Sequence, residues 1–185
     1  MDKMEPKAFA DLLRQAGDKA YNFAYRLAGN EQDARDLVQE AFARALEHAG
    51  SYDPSRAFDS WLLRILHNIF LDGARRLAYR RTVSLDAPTP VEDSSWEDIL
   101  PAKDLSAADE LIRRESIDMV QLALERLPPH YKAAIVLCDI EGMSYDDIAR
   151  IMDVPVGTIR SRIHQGRVLA RKAYEELERS GGRRQ

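Results

Sequence analysis

The sequence predicts an all-α chain folded as two small helical domains joined by an acidic flexible linker. Three observations carry this. Apolar residues recur at i, i+3, i+4 over most of the 185 residues, and no stretch alternates with period two over strand length. A run rich in proline, serine and acidic residues also divides the chain near its middle. The length suffices for two modest cores without staples. A single cysteine, Cys138, excludes an internal disulfide and a multi-cysteine zinc site. The longest apolar run, residues 133–138, is far short of a membrane span. The opening MDKMEPKAFADLLRQAG lacks the apolar core of a signal peptide. A cytoplasmic chain with no membrane insertion is the expectation.

In the first domain Phe9, Leu12, Leu13, Ala16, Ala20, Phe23, Ala24 and Leu27 keep helical spacing up to GNEQD, predicting one or two helices. A helix over about 33–48 follows, with Leu37, Ala41, Phe42 and Ala45 inward, and AGSYDPSRA ends it. The next, about 58–79, turns Trp61, Leu62, Ile65, Leu66 and Ile69 inward; Phe58 suits core or surface. Residues 82–110 then hold one basic and eight acidic side chains, so the net charge of −4 resides in the linker. Such a segment is repelled by a phosphate backbone. The second domain opens with a helix over about 107–126. LPPH stops it, because proline lacks an amide and disfavours helix in the residue before it. An almost wholly apolar helix over 131–140 ends at EGMS. Ser144 with Asp147 forms a capping box for a helix over 145–152, and Pro155 heads a last helix reaching about residue 179.

Two helices joined by a tight turn, the second basic, form the pattern of a helix-turn-helix, whose second helix lies in the major groove. On a helical wheel Ile159, Ile163, Gly166 and Ala170 share one side, and Arg160, His164, Arg167 and Arg171 another. Between residues 154 and 174 there are five basic residues and no acidic one, whereas a merely solvated helix mixes signs to gain i, i+4 pairs. The amino-terminal turns enter the groove, which makes Arg160, Ser161, His164 and Gln165 base-edge candidates. Arg162, Arg167, Arg171 and Lys172 suit phosphates. A basic surface helix without a ligand is the alternative; the coincidence of turn, cap and two-faced helix favours DNA.

The stretch LPPHYKAAIVLCDIEGMSYDDIARIMDVPVGTIRSRIHQGR resembles the sigma-4 domain of extracytoplasmic-function sigma factors, the smallest class of sigma-70-type initiation factors. The resemblance lies in the Leu-Pro break, Gly142, Ile148-Ala149 and PVGTIRSR. DARDLVQEAFARAL and FDSWLLRILHNIFLDGARR resemble the sigma-2 domain. This implies a sigma-2 domain over 1–81, a linker over 82–110 and a sigma-4 domain over 111–185. It further implies a sigma factor that is no enzyme and needs no cofactor. Such a protein binds core RNA polymerase at the β′ clamp helices and β flap, directs it to −35/−10 promoters, helps to melt them, and answers to an anti-sigma factor.

Residue by residue, the resemblance assigns the −35 element to Arg160, Ser161, Arg162, His164, Gln165, Arg167 and Arg171. It assigns the −10 element to Arg64, Asn68, Arg75 and Arg76, with SYDPSRAFD as the specificity pocket. Core polymerase falls to Asp33, Asp36, Gln39, Glu40 and Arg44. Gln165 and Gly166 stand where many relatives carry Arg and Ala, and a mid-helix glycine costs about 0.8–1 kcal/mol relative to alanine. By the same resemblance the linker lies in the path of nascent RNA; by composition alone it is an acidic tether.

Two rival readings share these residues. Asp33, Asp36 and Glu40 at helical spacing admit a Mg²⁺ site, weakened by the want of a second acidic helix opposite. A decoy that only sequesters a regulatory partner shares the fold but has no use for the arginines of the last helix. Cys138, with no histidine or basic neighbour to activate it, is expected to pack.

Overall fold

Short turns join the helices of each half, and the halves share one apolar core cluster, with polar contacts added where they meet. The computed structural model describes residues 6–81 and 109–181. The first bundle holds α1 (Pro6–Ala28), α2 (Glu31–Glu47) and α3 (Phe58–Arg81). The second holds α4 (Asp109–Glu125), α5 (Pro129–Ile135), α6 (Tyr145–Met152) and α7 (Val156–Gly181). The expected linker lies outside the described residues except at its last two positions, where α4 has already begun. Among the described residues no helix is long and apolar enough to cross a membrane.

α1 is one continuous helix rather than two. It ends at Gly29, whose φ of +84° is the left-handed conformation that glycine adopts without strain, and the Gly29 amide donates to the Tyr25 carbonyl at 2.8 Å. Asn30 then starts α2 two residues earlier than the sequence reading: its side-chain oxygen accepts from the Asp33 amide at 2.9 Å, and its Nδ2 donates to the Asp33 carboxylate at 2.8 Å. The residues that α2 buries are Ala34, Ala41 and Ala45, so its backbone lies close to α1 and α3. On α3 the fully buried stripe is Leu62, Leu63 and Leu66, while Trp61, Ile65 and Ile69 are half-buried. Leu63 replaces them because the inward face is rotated from the expected one. Phe58 belongs to the core, in an aromatic cluster with Phe9, Tyr52 and Trp61 at centroid distances of 5.1 to 6.1 Å.

In the second bundle Pro129 sits in the first turn of α5, as proline's missing amide allows. The apolar helix expected over 131–140 is not uniform. Beyond Ile135 it widens into a π turn, Val136–Ile140, closed by the Glu141 amide on the Val136 carbonyl at 3.0 Å. There the Asp139 carboxylate, 2 % exposed, takes a two-pronged ion pair from Arg167 of α7 at 2.7 and 3.2 Å. Gly142, at φ +65°, turns the chain. Ser144 caps α6: its hydroxyl oxygen accepts from the Asp147 amide at 3.2 Å and its hydroxyl donates to the Asp147 carboxylate at 2.6 Å. Asp153 closes α6 at φ 56°, a left-handed conformation that Asp tolerates. Ile159, Ile163, Gly166 and Ala170 of α7 are all buried. A β-carbon at Gly166 would lie 2.6 Å from Ile135 Cγ2 and 3.2 Å from the Tyr131 carbonyl oxygen, so the glycine permits the close approach of α7 to α5.

The seam runs between α1 and α3 on one side and α4, α5 and α6 on the other. Gln121 and Lys132 donate to the Arg26 and Leu27 carbonyls at 3.3 and 3.1 Å, and Arg64 pairs with Asp153 at 3.0 Å. His67 is buried there with neither ring nitrogen hydrogen-bonded. Burial pushes its imidazole down to about 4; the nearby Asn68 side chain opposes this, and the positive charges of Arg162 and Arg75 add to it.

Two outcomes follow for stability. Gly166→Ala gains about 1 kcal/mol of helix propensity but drives a methyl into the branched Ile135 side chain, at a cost of about 1–3 kcal/mol. A net loss is therefore expected in urea melts. Below the ordinary histidine pKa of 6.5 the unfolded chain takes up a proton that the fold refuses until about pH 4, so stability drops as pH falls through that window. Urea melts at about pH 5 are expected to show a loss of about 2 kcal/mol relative to neutral pH from this group, abolished in His67→Leu.

Candidate nucleic-acid interface

α6 and α7 stand in helix-turn-helix order across the turn at Asp153, Val154 and Pro155. With one side of α7 buried, its first turns project Arg160, Ser161 and His164 outward, all exposed, with Gln165 half-buried beside them. Arg160 makes no hydrogen bond or ion pair to the described residues. The Ser161 hydroxyl donates to the Thr158 carbonyl at 2.9 Å, which leaves its lone pairs to accept.

The residues read as phosphate contacts divide. Arg167 departs from that expectation: its guanidinium grips the buried Asp139, so it ties the reading helix to the bundle, and it also lies 3.9 Å from Cys138 Sγ. Cys138 thus has a basic neighbour in space that the sequence does not place beside it. Arg162 also departs. It is half-buried, this burial lowers its affinity for a proton, opposed by Tyr131, and its charge acts on His67 of the first bundle. Arg171 pairs with Glu175 one turn on at 3.1 Å, a surface contact of a few tenths of a kcal/mol that a phosphate can displace. Lys172 is exposed.

On α3, Asn68, Arg75 and Arg76 are exposed, Arg75 making a 3.4 Å pair with Asp72. Arg64 and Asn68 line a small pocket of about 270 Å³ with Tyr52, Asp53, Trp61 and Ile65. The loop over 51–57 builds its wall. The Tyr52 hydroxyl donates to the Arg56 carbonyl at 2.8 Å, and the Asp53 carboxylate accepts from the Ser55 amide at 3.0 Å. Hydrogen bonds from Ser55 lower the Asp53 pKa, so it stays ionised. This pocket is smaller than the roughly 300–1,000 Å³ usual for a ligand site, and an aromatic wall with an amide and a guanidinium suits one unstacked base. Tyr52 and Asp53 come from the loop that the sequence reading gave as the pocket, and Ile65, read there as an inward residue of α3, also lines it.

Asp33, Asp36, Gln39 and Glu40 are exposed on α2, and Arg44 reaches back to Glu40 at 2.9 Å. Asp33, Asp36 and Glu40 border a groove of about 980 Å³ floored by Leu37, Ile69 and Phe70. An acidic rim over an apolar floor fits a basic amphipathic helix. Among the described residues no group of three or more His, Cys, Asp or Glu side chains is arranged to hold a metal ion.

The family model for sigma-70 region 2 matches residues 12–81, and that for sigma-70 region 4 matches residues 117–169. The chain is 35 % identical over 176 residues to the ECF RNA polymerase sigma factor SigW of Bacillus subtilis, covering 95 % of this chain and 93 % of that one. It is 41 % identical over 169 residues to the ECF RNA polymerase sigma factor SigE of Mycolicibacterium smegmatis, covering 90 % of this chain and 61 % of that longer relative. Among solved structures, the sigma factor RpoE of Bartonella quintana, in complex with the anti-sigma factor NepR, superposes with a TM-score of 0.65 at 25 % identity over 91 % of this chain and 98 % of that one. CnrH, in complex with the cytosolic domain of CnrY, superposes with a TM-score of 0.59 at 25 % identity over 96 % and 91 %. With the helix-turn-helix and both regions in order, the chain belongs to the extracytoplasmic-function sigma factors of the sigma-70 family.

Proposed function

We propose that this chain joins core RNA polymerase and grips a promoter at two places, the −35 element with α7 and the melted −10 element with the pocket at the start of α3. The observation that carries the reading is the face of α7: Arg160, Ser161 and His164 are outward on the first turns of the second helix of a helix-turn-helix. Arg bonds guanine by two hydrogen bonds, and Gln165 at the edge of the face suits adenine. The sigma-2 domain over 1–81, the linker over 82–110 and the sigma-4 domain over 111–185 belong to this reading, with α4 beginning at Asp109. So does a −10 surface of Arg64, Asn68, Arg75 and Arg76, with one extruded base in the pocket beside Tyr52.

The groove below Asp33, Asp36 and Glu40 is the proposed core-polymerase site, receiving a basic amphipathic helix such as a β′ clamp helix. An anti-sigma factor would control the protein by covering the same groove; that the structural neighbour RpoE forms a complex with the anti-sigma factor NepR supports a partner of this kind. The absence of a helix able to cross a membrane among the described residues is compatible with work in the cytoplasm.

Core binding and promoter-directed run-off transcription, measured side by side, separate these roles. Arg160→Ala is expected to leave core binding intact and to lower −35-dependent initiation by roughly 5- to 100-fold. Reversing Asp36 and Glu40 to Lys is expected to weaken core binding first. Arg167→Ala is expected to lower the urea midpoint without changing the salt slope of DNA binding, whereas loss of a phosphate contact reduces that slope by about one. Equal core binding and normal initiation in all three variants would overturn the assignments.

A further inference from the structure

Two cavities meet at the start of α3. The small pocket of about 270 Å³ and a larger cleft of about 700 Å³ share Arg56, Trp61 and Arg64 in their walls. On its far side the cleft is closed by α6 and the turn before α7, through Arg150, Asp153 and Pro155. The cleft lies within the roughly 300–1,000 Å³ usual for a ligand site, which the pocket alone does not reach. Trp61 lines both, its ring held by Phe9, Tyr52 and Phe58 at centroid distances of 5.4 to 6.1 Å. A ring anchored on three sides is a rigid wall to either space.

The two ends differ in chemistry. The pocket offers an aromatic wall, the Asn68 amide and the ionised Asp53 carboxylate, which takes one bond from the Ser55 amide and keeps lone pairs for another donor. The cleft offers the guanidinium groups of Arg56, Arg64 and Arg150, brought from a loop, α3 and α6. Each holds one carboxylate: Asp53 at 3.5 Å, Asp153 at 3.0 Å and Asp147 at 2.7 Å. These pairs are exposed and contribute little, so phosphate oxygens can share or displace them. A guanidinium has five N–H donors in a fork that matches phosphate, and one carboxylate does not use them all. Asp146, Asp147 and Asp153 balance the three arginines across the cleft, which suits one or two phosphates and not a long polyanion.

We propose that pocket and cleft form one site for a free nucleotide, whose base enters the pocket beside Tyr52 and Trp61 and whose phosphates reach Arg56, Arg64 and Arg150. The proposal rests on the reading of the small pocket as a base pocket. Asp53 sets the preference. It accepts from the exocyclic amine of cytosine, whereas uracil, of the same size, turns a carbonyl oxygen toward that carboxylate. A pocket filled in this way has no room for an extruded promoter base, so the −10 grip becomes sensitive to the supply of free nucleotide. Arg150, which neither the promoter nor the polymerase reading employs, belongs to this site.

Calorimetric titration of the free, full-length protein with CDP, UDP, cytidine and pyrophosphate tests the site. CDP is expected to saturate a single site with a dissociation constant of about 0.01–0.5 mM. UDP should bind at least about fivefold more weakly for want of the amine. Cytidine and pyrophosphate, each filling half of the site, should bind about tenfold more weakly than CDP. Asp53→Asn should erase the difference between CDP and UDP. Arg150→Ala should weaken CDP by about fivefold and leave cytidine unchanged. CDP should also displace a fluorescent single-stranded oligodeoxycytidine from the protein. No saturation at millimolar CDP, equal binding of CDP, UDP and pyrophosphate, or indifference to both substitutions would overturn the site, as would simultaneous binding of CDP and the oligonucleotide. If the oligonucleotide does not bind even without CDP, the −10 reading of the pocket fails, while the titration still reports on the nucleotide.

Discussion

The seating of α7 on α5 governs everything the second bundle can do. Gly166 lets the two backbones meet against Ile135 and Tyr131, and beside it Arg167 locks onto the buried carboxylate of Asp139. Removing one partner of such a buried pair costs about 3–5 kcal/mol, far more than the roughly 1 kcal/mol of helix propensity that the glycine forgoes. Together they fix the rotation of α7. Turned by one residue, the helix would bury Arg160 and expose Ile163, and the reading face would be gone. The π turn belongs to the same device, because the segment that carries Asp139 leaves regular α-helix there.

A single apolar cluster runs through both bundles and takes in the buried alanines of α2, the leucines of α3 and the isoleucines of α6 and α7. Across the seam it is joined by polar caps on the end of α1, an ion pair and a buried imidazole. Apolar burial scales with area and does not depend on a few geometries, whereas the polar contacts depend on a handful of bonds.

Much of this was legible because the signals are local. The Ser144–Asp147 cap, the proline pair before α5 and the buried side of α7 follow from spacing alone, and residues 51–57 read as a loop from their turn residues. The single acidic residue in the apolar run over 133–140 was a signal that went unused: Asp139 needed a partner, and an arginine facing back toward it was available in α7. The start of α2 was misjudged because GNEQD offers more than one capping residue, and only Asn30 has the extended backbone of a cap. The division of α7's arginines was not legible, since Arg162 and Arg167 differ from Arg160 only in what another helix places opposite them. The seam was invisible for a deeper reason: its acceptors are backbone carbonyls of Arg26 and Leu27, which carry no residue identity and lie about a hundred positions from their donors.

The central claim, that one chain reads a promoter at two separated places, is tested most directly by reconstituting the full chain with core RNA polymerase on genomic DNA and sequencing the 5′ ends of the transcripts. The account predicts starts that share two upstream motifs at constant spacing, with base preference in the distal motif alone shifting when Gln165 is changed to Arg. Starts without a shared bipartite motif, or no transcripts beyond those of core polymerase alone, would contradict it.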